Sequence, residues 1–265
     1  MSLTELEAAL AAESITADLP TLLPLAHLTI ARSFELILNA GYLQPRPCKV
    51  LKSDLLYFSY GGLFYRGSDL QSQQPLELPI GLVFDPRMFT TISELFPFDS
   101  GAMSAMRFGA DWFDKLRPFE ARFAVHAGDL SRAAQELVLH LFETNSNYIK
   151  GVPSTPSTGK RQPLPLLHDF LAADLTSLNV DHRQRTIEAI ARVTVSLGQH
   201  LLWIGLPQLA TSSRLRQLYR WTKPTVTQAF EYDYHANFNP ARIAELLEAE
   251  ASKDVVNRYA RLGAS

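Results

Sequence analysis

The stretch from Leu25 to Gly62 constrains the fold more than any other part of the chain. It opens with a short apolar run, Leu25-Ala26-His27-Leu28-Thr29, of strand length. Ser33 then opens a helix whose apolar face is Phe34, Leu36, Ile37 and Leu38. Asn39-Ala40-Gly41 closes it, with Gly41 placed for a left-handed cap that a Cβ would penalise. A second strand pattern, Asp54 to Ser59, stops at Gly61-Gly62. Strand, helix and strand in such quick succession predict a mixed fold built from both kinds of element.

The rest of the chain reads in the same punctuated way. Residues 2 to 13 predict an amphipathic helix with Ser2 as its cap, and Pro79 to Phe84 a strand ending at the turn Asp85-Pro86. Thr90 to Leu95 reads as helix and Phe119 to Val125 as strand. Residues 131 to 143 read as a helix that carries Leu137, Val138, Leu141 and Phe142 on one side. Toward the C-terminus come strand candidates at Thr186–Val195, Leu201–Leu206 and Thr225–Tyr234, the last with alternating aromatics. Pro240 then starts a helix running to Ala251. Residues 150–163, rich in Gly, Pro, Ser and Thr, predict a mobile surface loop. The segment after it completes the fold, so 1–265 is expected to be a single domain.

Composition narrows the function classes. A net charge of −2 and a pI near 6.4 argue against broad nucleic-acid binding, which needs a basic face. Two basic stretches, Arg183 to Arg192 and Arg214 to Lys223, read as solvated faces, although Arg161, Arg183, Arg185 and Arg192 would suit steering of a nucleic-acid substrate. The one cysteine, Cys48, rules out an intrachain disulfide and points to a reducing compartment, so a cytoplasmic setting is expected. Cys48 sits in Pro-Arg-Pro-Cys-Lys, a turn pattern with no base nearby. No histidine pair has the i, i+4 spacing of a helical zinc site, and no phosphate loop or nucleophile elbow is present.

Two clusters carry candidate chemistry. In His27-Leu28-Thr29 the imidazole and hydroxyl lie two apart on a strand and project from the same face. In the run from Tyr57 to Arg66, a strand delivers Tyr57, Gly61-Gly62 permits close backbone approach, and Tyr65 and Arg66 follow. Two tyrosines so placed can sandwich a flat heterocycle, with a guanidinium beside them for phosphate.

In this order, His27-x-Thr29, a helix to Gly41, Tyr57-Phe58-Ser59 and then Tyr65 resemble the ADP-ribosyltransferases of the branch that includes diphtheria toxin and the poly(ADP-ribose) polymerases. Leu28 stands where that family often has glycine. The resemblance implies an α+β fold with a split sheet and peripheral helices, and NAD as substrate. It implies that His27 bonds the nicotinamide-side ribose, that backbone at Leu28 pairs with the carboxamide, and that Tyr57 and Tyr65 stack on nicotinamide. ADP-ribose would pass to a macromolecular acceptor, protein or nucleic acid. Proteins of this kind are often bacterial toxins or defence effectors with an antitoxin partner. A non-catalytic binding module on the same scaffold, holding a protein partner, is the alternative.

The chemistry also asks for an acid. Positive charge develops at the ribose anomeric carbon as nicotinamide leaves, and a carboxylate on the 2′-hydroxyl stabilises it. Glu188, in Arg185-Thr186-Ile187-Glu188-Ala189, resembles the family's Ser/Thr-x-Glu strand motif, with Thr186 on the same face. A helix over 182 to 197 with Glu188 on its wet side is the competing reading. Glu231 on the aromatic strand and Asp99 in Phe98-Asp99-Ser100-Gly101 are the other candidate acids.

Overall fold

Strand β1 (Leu25–Ile30) runs through the middle of the sheet in the computed structural model, which describes residues 2–13, 18–64, 77–126, 128–155, 160–173, 182–208, 228–233 and 240–262. In chain order the other strands are β2 (Tyr42–Leu43), β3 (Arg46–Cys48), β4 (Ser53–Tyr60), β5 (Pro79–Phe84), β6 (Ile92–Phe96), β7 (Glu188–Ala191), β8 (Val195–Ser196), β9 (Leu201–Pro207) and β10 (Gln228–Tyr232). The main sheet is ordered β10-β9-β5-β1-β4-β7-β6, with β3 added against β4. Only β10 and β9 run parallel among its pairs, and β2 and β8 form a separate small ladder.

The sheet divides beside β1. That strand pairs with β5 along all six of its residues, but with β4 only at Leu25↔Tyr60 and Ala26↔Ser59. Past Ala26 the two strands part and leave a cleft. This is the split sheet of the α+β fold that the resemblance implies.

Helices α1 (Glu5–Ala12), α2 (Ala31–Ala40), α3 (Ser100–Ser104), α4 (Ala110–Leu116), α5 (Phe119–Phe123), α6 (Leu130–Phe142), α7 (Asn145–Lys150), α8 (Leu164–Ala172), α9 (Leu197–His200), α10 (Pro240–Ala251) and α11 (Asn257–Leu262) surround the sheet. The larger core gathers Phe34 of α2, Phe58 of β4, Ile80, Leu82 and Phe84 of β5, and Leu137 and Leu141 of α6. A second core lies under α10, where Ile243 and Leu247 meet Val83, Trp203 and Tyr232. Alternation along β5 therefore feeds both layers, which is why its run is apolar without interruption. None of the described helices is long and apolar enough to cross a membrane.

Several elements differ from the sequence reading. Thr4, not Ser2, caps α1, in a reciprocal box with Glu7. Thr90–Leu95 is not a helix. A 3₁₀ turn, Pro86–Thr91, leads into β6, whose backbone is claimed by β7. Phe119–Phe123 is a helix rather than a strand, with Phe119 and Phe123 spaced to share one face, and only Val125 makes a bridge, to Leu95. Around Glu188 the chain is a short 3₁₀ turn followed by strand, so the helix over 182 to 197 does not form. The stretch from Arg183 to Arg192 is a solvated face only at its end, where Arg192 is exposed. Arg183 is buried, Arg185 lies over the Phe64 ring 3.5 Å from Glu248, and Arg192 bonds Glu94 and Ser53. Arg214 to Lys223 lies outside the described residues.

One buried tyrosine ties the central strands together. The Tyr148 hydroxyl donates to the Tyr60 carbonyl (2.7 Å) and accepts from the Ile187 amide (3.2 Å). The Tyr60 hydroxyl in turn accepts from the Leu23 amide (2.9 Å). Gly61 makes room for this cluster. Its φ is +74°, and a Cβ there would sit 2.8 Å from Leu23 Cδ1 and 2.9 Å from Tyr148 Cε1. Gly61→Ala should therefore lower stability by about 2 kcal/mol or more, through left-handed strain and overpacking together. Chemical denaturation measures this, and an unchanged midpoint would contradict it.

A second buried polar cluster joins α6, α8 and Lys160. The His140 carbonyl accepts from Lys160 Nζ (2.7 Å) and from His168 Nε2 (2.8 Å). Burial, and then the Lys160 charge, hold both imidazoles below the usual histidine range. Depressed pKa values mean that the unfolded chain takes up protons the fold refuses. Stability is therefore full above about pH 6.5 and declines as the pH falls below it. Thermal unfolding between pH 7.5 and pH 5 (both within the range of roughly neutral to mildly acid buffers) should show that decline, and His168→Gln should flatten it.

Candidate active site

The cleft beside β1 holds a cavity of about 270 Å³. Each of its walls has a local cause. β1 brings Ala26, His27 and Leu28, and β4 brings Tyr57, Phe58 and Ser59. The β3–β4 hairpin lays Cys48 and Val50 over one side. β7 brings Glu188, with Thr186 just before it, and Asp99 and Gly101 come from the start of α3.

His27 stands where the ladder ends. Its Nδ1 lies 2.8 Å from the Tyr57 carbonyl, so Nδ1–H donates to a backbone acceptor that the parting strands have released. Burial keeps the imidazole below its ordinary pKa, and the ring is neutral at pH 7. With the proton fixed on Nδ1, Nε2 becomes an acceptor. The ring leans on Phe58, 5.6 Å between centroids.

Tyr57 is half-buried, and its hydroxyl donates to Cys48 Sγ at 2.8 Å. Burial, this bond and the nearby Glu188 raise the phenol well beyond its usual range, so it stays protonated. The thiol thus orients the ring, a task that the turn pattern around Cys48 gave no reason to expect.

Glu188 is 6% exposed and sits opposite Ser59 on β4 and Phe96 on β6. Its Oε1 accepts from Ser100 Oγ at 2.5 Å. Burial first, then the charge of Asp99, push the carboxyl well above the usual carboxylate range, while the Ser100 bonds pull it down. Asp99 is buried beside it and caps α3 through a 2.7 Å bond from the Ala102 amide to Oδ1. Its setting is thus the backbone-bonded turn that the Asp-Ser-Gly sequence suggests.

Of the residues singled out in the sequence, His27, Leu28, Tyr57 and Glu188 line this one cavity, together with Thr186 and Asp99. Thr29 lines instead a neighbouring cavity of about 240 Å³, which shares His27 and Leu28 as its wall and includes Ser33, Gln44 and Arg46. Glu231 is exposed on β10, across the sheet from the cleft, and lines neither cavity. Tyr65 and Arg66 lie outside the described residues. Among the described residues, no group of three or more His, Cys, Asp or Glu gathers to hold a metal ion. Sequence reasoning missed Ser59 and Ser100 at the site. Only the Asp-Ser-Gly helix start could have pointed to Ser100.

The chain is similar in outline to Thermus sp. 2.9 DarT in complex with NAD+, with a TM-score of 0.41 and 11% identity over 81% of this chain and 98% of that one. It is similar also to Thermus sp. 2.9 DarT in complex with ADP-ribosylated ssDNA, with a TM-score of 0.43 and 11% identity over 82% and 98% of the two chains. No protein-family model and no curated relative matches the sequence.

A buried acid with a raised pKa weakens the fold. As pH rises above the unfolded value, the unfolded chain gives up a proton that the native Glu188 keeps, so stability declines with pH. Glu188→Gln removes that term. It should raise the melting temperature at pH 8 (a mildly alkaline buffer, about one unit above neutral) by a few degrees, and less so in acid. A lower melting temperature for the variant at both ends would contradict the assignment.

Proposed function

We propose that this chain is an ADP-ribosyltransferase-like enzyme that binds NAD, breaks its nicotinamide glycosidic bond and passes ADP-ribose to a macromolecular acceptor. The observation that carries the reading is the convergence of His27, Tyr57 and Glu188, from three different strands, on one cavity. The sequence motifs alone did not require that meeting.

In this reading nicotinamide enters the first cavity and stacks on Tyr57, held flat by the bond to Cys48. The backbone at Leu28 pairs with the carboxamide. His27 Nε2 accepts from the nicotinamide-side ribose, its other nitrogen being committed to Tyr57. Glu188 accepts from the 2′-hydroxyl. As the anomeric C–N bond breaks, its electron pair leaves with neutral nicotinamide, and positive charge grows on the ribose beside the carboxylate. The acceptor then forms the new bond to that carbon and loses a proton.

The raised pKa of Glu188 suits this sequence of events. Burial and Asp99 favour the proton, and the cationic nicotinamide ring, once bound, favours the carboxylate. The second cavity takes the ADP half, with Arg46, Gln44, Thr29 and Ser33 as its polar groups. Arg66 and Tyr65 would act from outside the described residues. The acceptor is a protein or a nucleic acid, and a role as a toxin or defence effector, with an antitoxin partner in the cytoplasm, follows from the same resemblance.

The test is nicotinamide release from NAD by wild type and Glu188→Gln, with cell extract supplying an acceptor. Wild type should release nicotinamide, and the variant should lose about 10²- to 10³-fold, the usual loss when a preorganised electrostatic group is removed. No release by wild type would overturn the reaction. Release undiminished in the variant would overturn the role of Glu188 and turn attention to Asp99.

A further inference from the structure

Glu188 is approached by a residue that does not itself line the cavity. Ser100 is fully buried, whereas its neighbours Asp99 and Gly101 both reach the cavity wall. Ser100 donates to the Glu188 carboxyl from Oγ to Oε1 at 2.5 Å, and its backbone amide favours the same charged group. Its own place is fixed from two directions. Asp99 closes the first turn of α3 onto Ala102, and the Asp99 amide donates to the Arg183 carbonyl (3.3 Å). That same carbonyl accepts from the Thr186 amide (3.3 Å), two residues before Glu188. The turn that carries Ser100 and the strand that carries Glu188 therefore hang from one shared acceptor.

We propose that Ser100 is a positioning residue for the cleavage step, holding the Glu188 carboxylate in the orientation that meets the ribose hydroxyl. The role rests on the reaction proposed above. A glutamate has three rotatable bonds, and its terminal torsion is broad. A short bond from a fully buried hydroxyl, on a turn tied to the Arg183 carbonyl, restrains that torsion and leaves the remaining oxygen for substrate.

The same bonds decide how readily the acid ionises. The groups that face it are Asp99 from α3, Cys48 from the β3–β4 hairpin and Tyr57 from β4. Asp99 and Cys48 work against a negative charge on Glu188, and the Tyr57 hydroxyl directs its hydrogen bond to Cys48 rather than to the acid. Glu94, further along β6, is held by Arg192 at 2.8 Å and lies 3.6 Å from His126. Ser100 supplies the hydrogen bonds that favour the charged form.

The experiment compares wild type, Ser100→Ala and Ser100→Thr, each checked by melting curve. Two readouts are taken: nicotinamide release across pH, and a carbon-13 titration of the Glu188 carboxyl, identified by its loss in Glu188→Gln. In Ser100→Ala the acid limb of the kcat profile and the carboxyl titration should both move up by about one pH unit, a tenfold change in the acid constant. KM for NAD should stay within about twofold, because the lost contact serves the transition state. Ser100→Thr, which keeps the hydroxyl, should restore both. Should the alanine chain fail to fold, Ser100→Cys keeps the volume, weakens the donor and should give a smaller shift in the same direction. A titration and profile identical to wild type in a folded variant would overturn the proposal, as would a threonine variant no better than alanine. The titration uses no NAD. A shifted carboxyl in a protein that releases no nicotinamide would therefore overturn the reaction, while an unshifted one in an active enzyme would overturn the role of Ser100.

Discussion

The Tyr148 hydroxyl is the contact on which the rest of the site depends. It bonds the end of β4 and the chain just before β7, so it sets how far apart those strands lie as they reach the cleft. Glu188 follows Ile187 directly, and Ser59 precedes Tyr60, and these two are register partners. The position of the acid is thus measured from a phenol one residue away, carried on the short helix α7. The phenol is fully buried, with Phe64 and Phe142 against its ring, so it has no water to exchange for these bonds.

Around the cavity, polar groups are spent on one another. His27 takes the carbonyl released by the parting strands, Tyr57 takes the Cys48 thiol, and Ser100 takes Glu188. Each bond removes a rotation from a side chain that faces the cleft. The carboxyl pair of Glu188 and Asp99 goes the other way, with two acids sharing one buried space. Such an arrangement weakens the fold and persists where charge is to be stabilised on demand. The two observations belong together, since a strained acid is useful only when its neighbours hold still.

Much of this was legible in the sequence where local chemistry and tertiary structure agree. The helix closing at Gly41, the strand over Pro79–Phe84 and the proline start of α10 carry their own signals. The pairing of His27 with Tyr57 followed from a resemblance and not from periodicity. β6 was not legible, because a five-residue run of mixed apolar and polar residues becomes a strand only when β7 supplies its partner. Phe119–Phe123 failed for the opposite reason: aromatic residues favour strands, and packing overrode that preference. Cys48 could not be placed at the site at all, and Ser100 only through the Asp-Ser-Gly helix start that carries it. Their contacts are with residues distant or otherwise unmarked in sequence, and a lone serine or cysteine carries no signature of its partner.

The position of β7 in the sheet has a consequence for how the molecule comes into being. It lies between β4 and β6, two strands that precede it by a long stretch of chain. The strand that joins them is synthesised much later than either. Closing that gap costs loop entropy before any ladder bond is gained, so insertion of β7 belongs to the slow part of folding. The acid rides on that strand. A nascent or partly folded chain can thus own His27 and Tyr57 and still have no wall opposite them, and the cleft takes shape only as the sheet itself is completed.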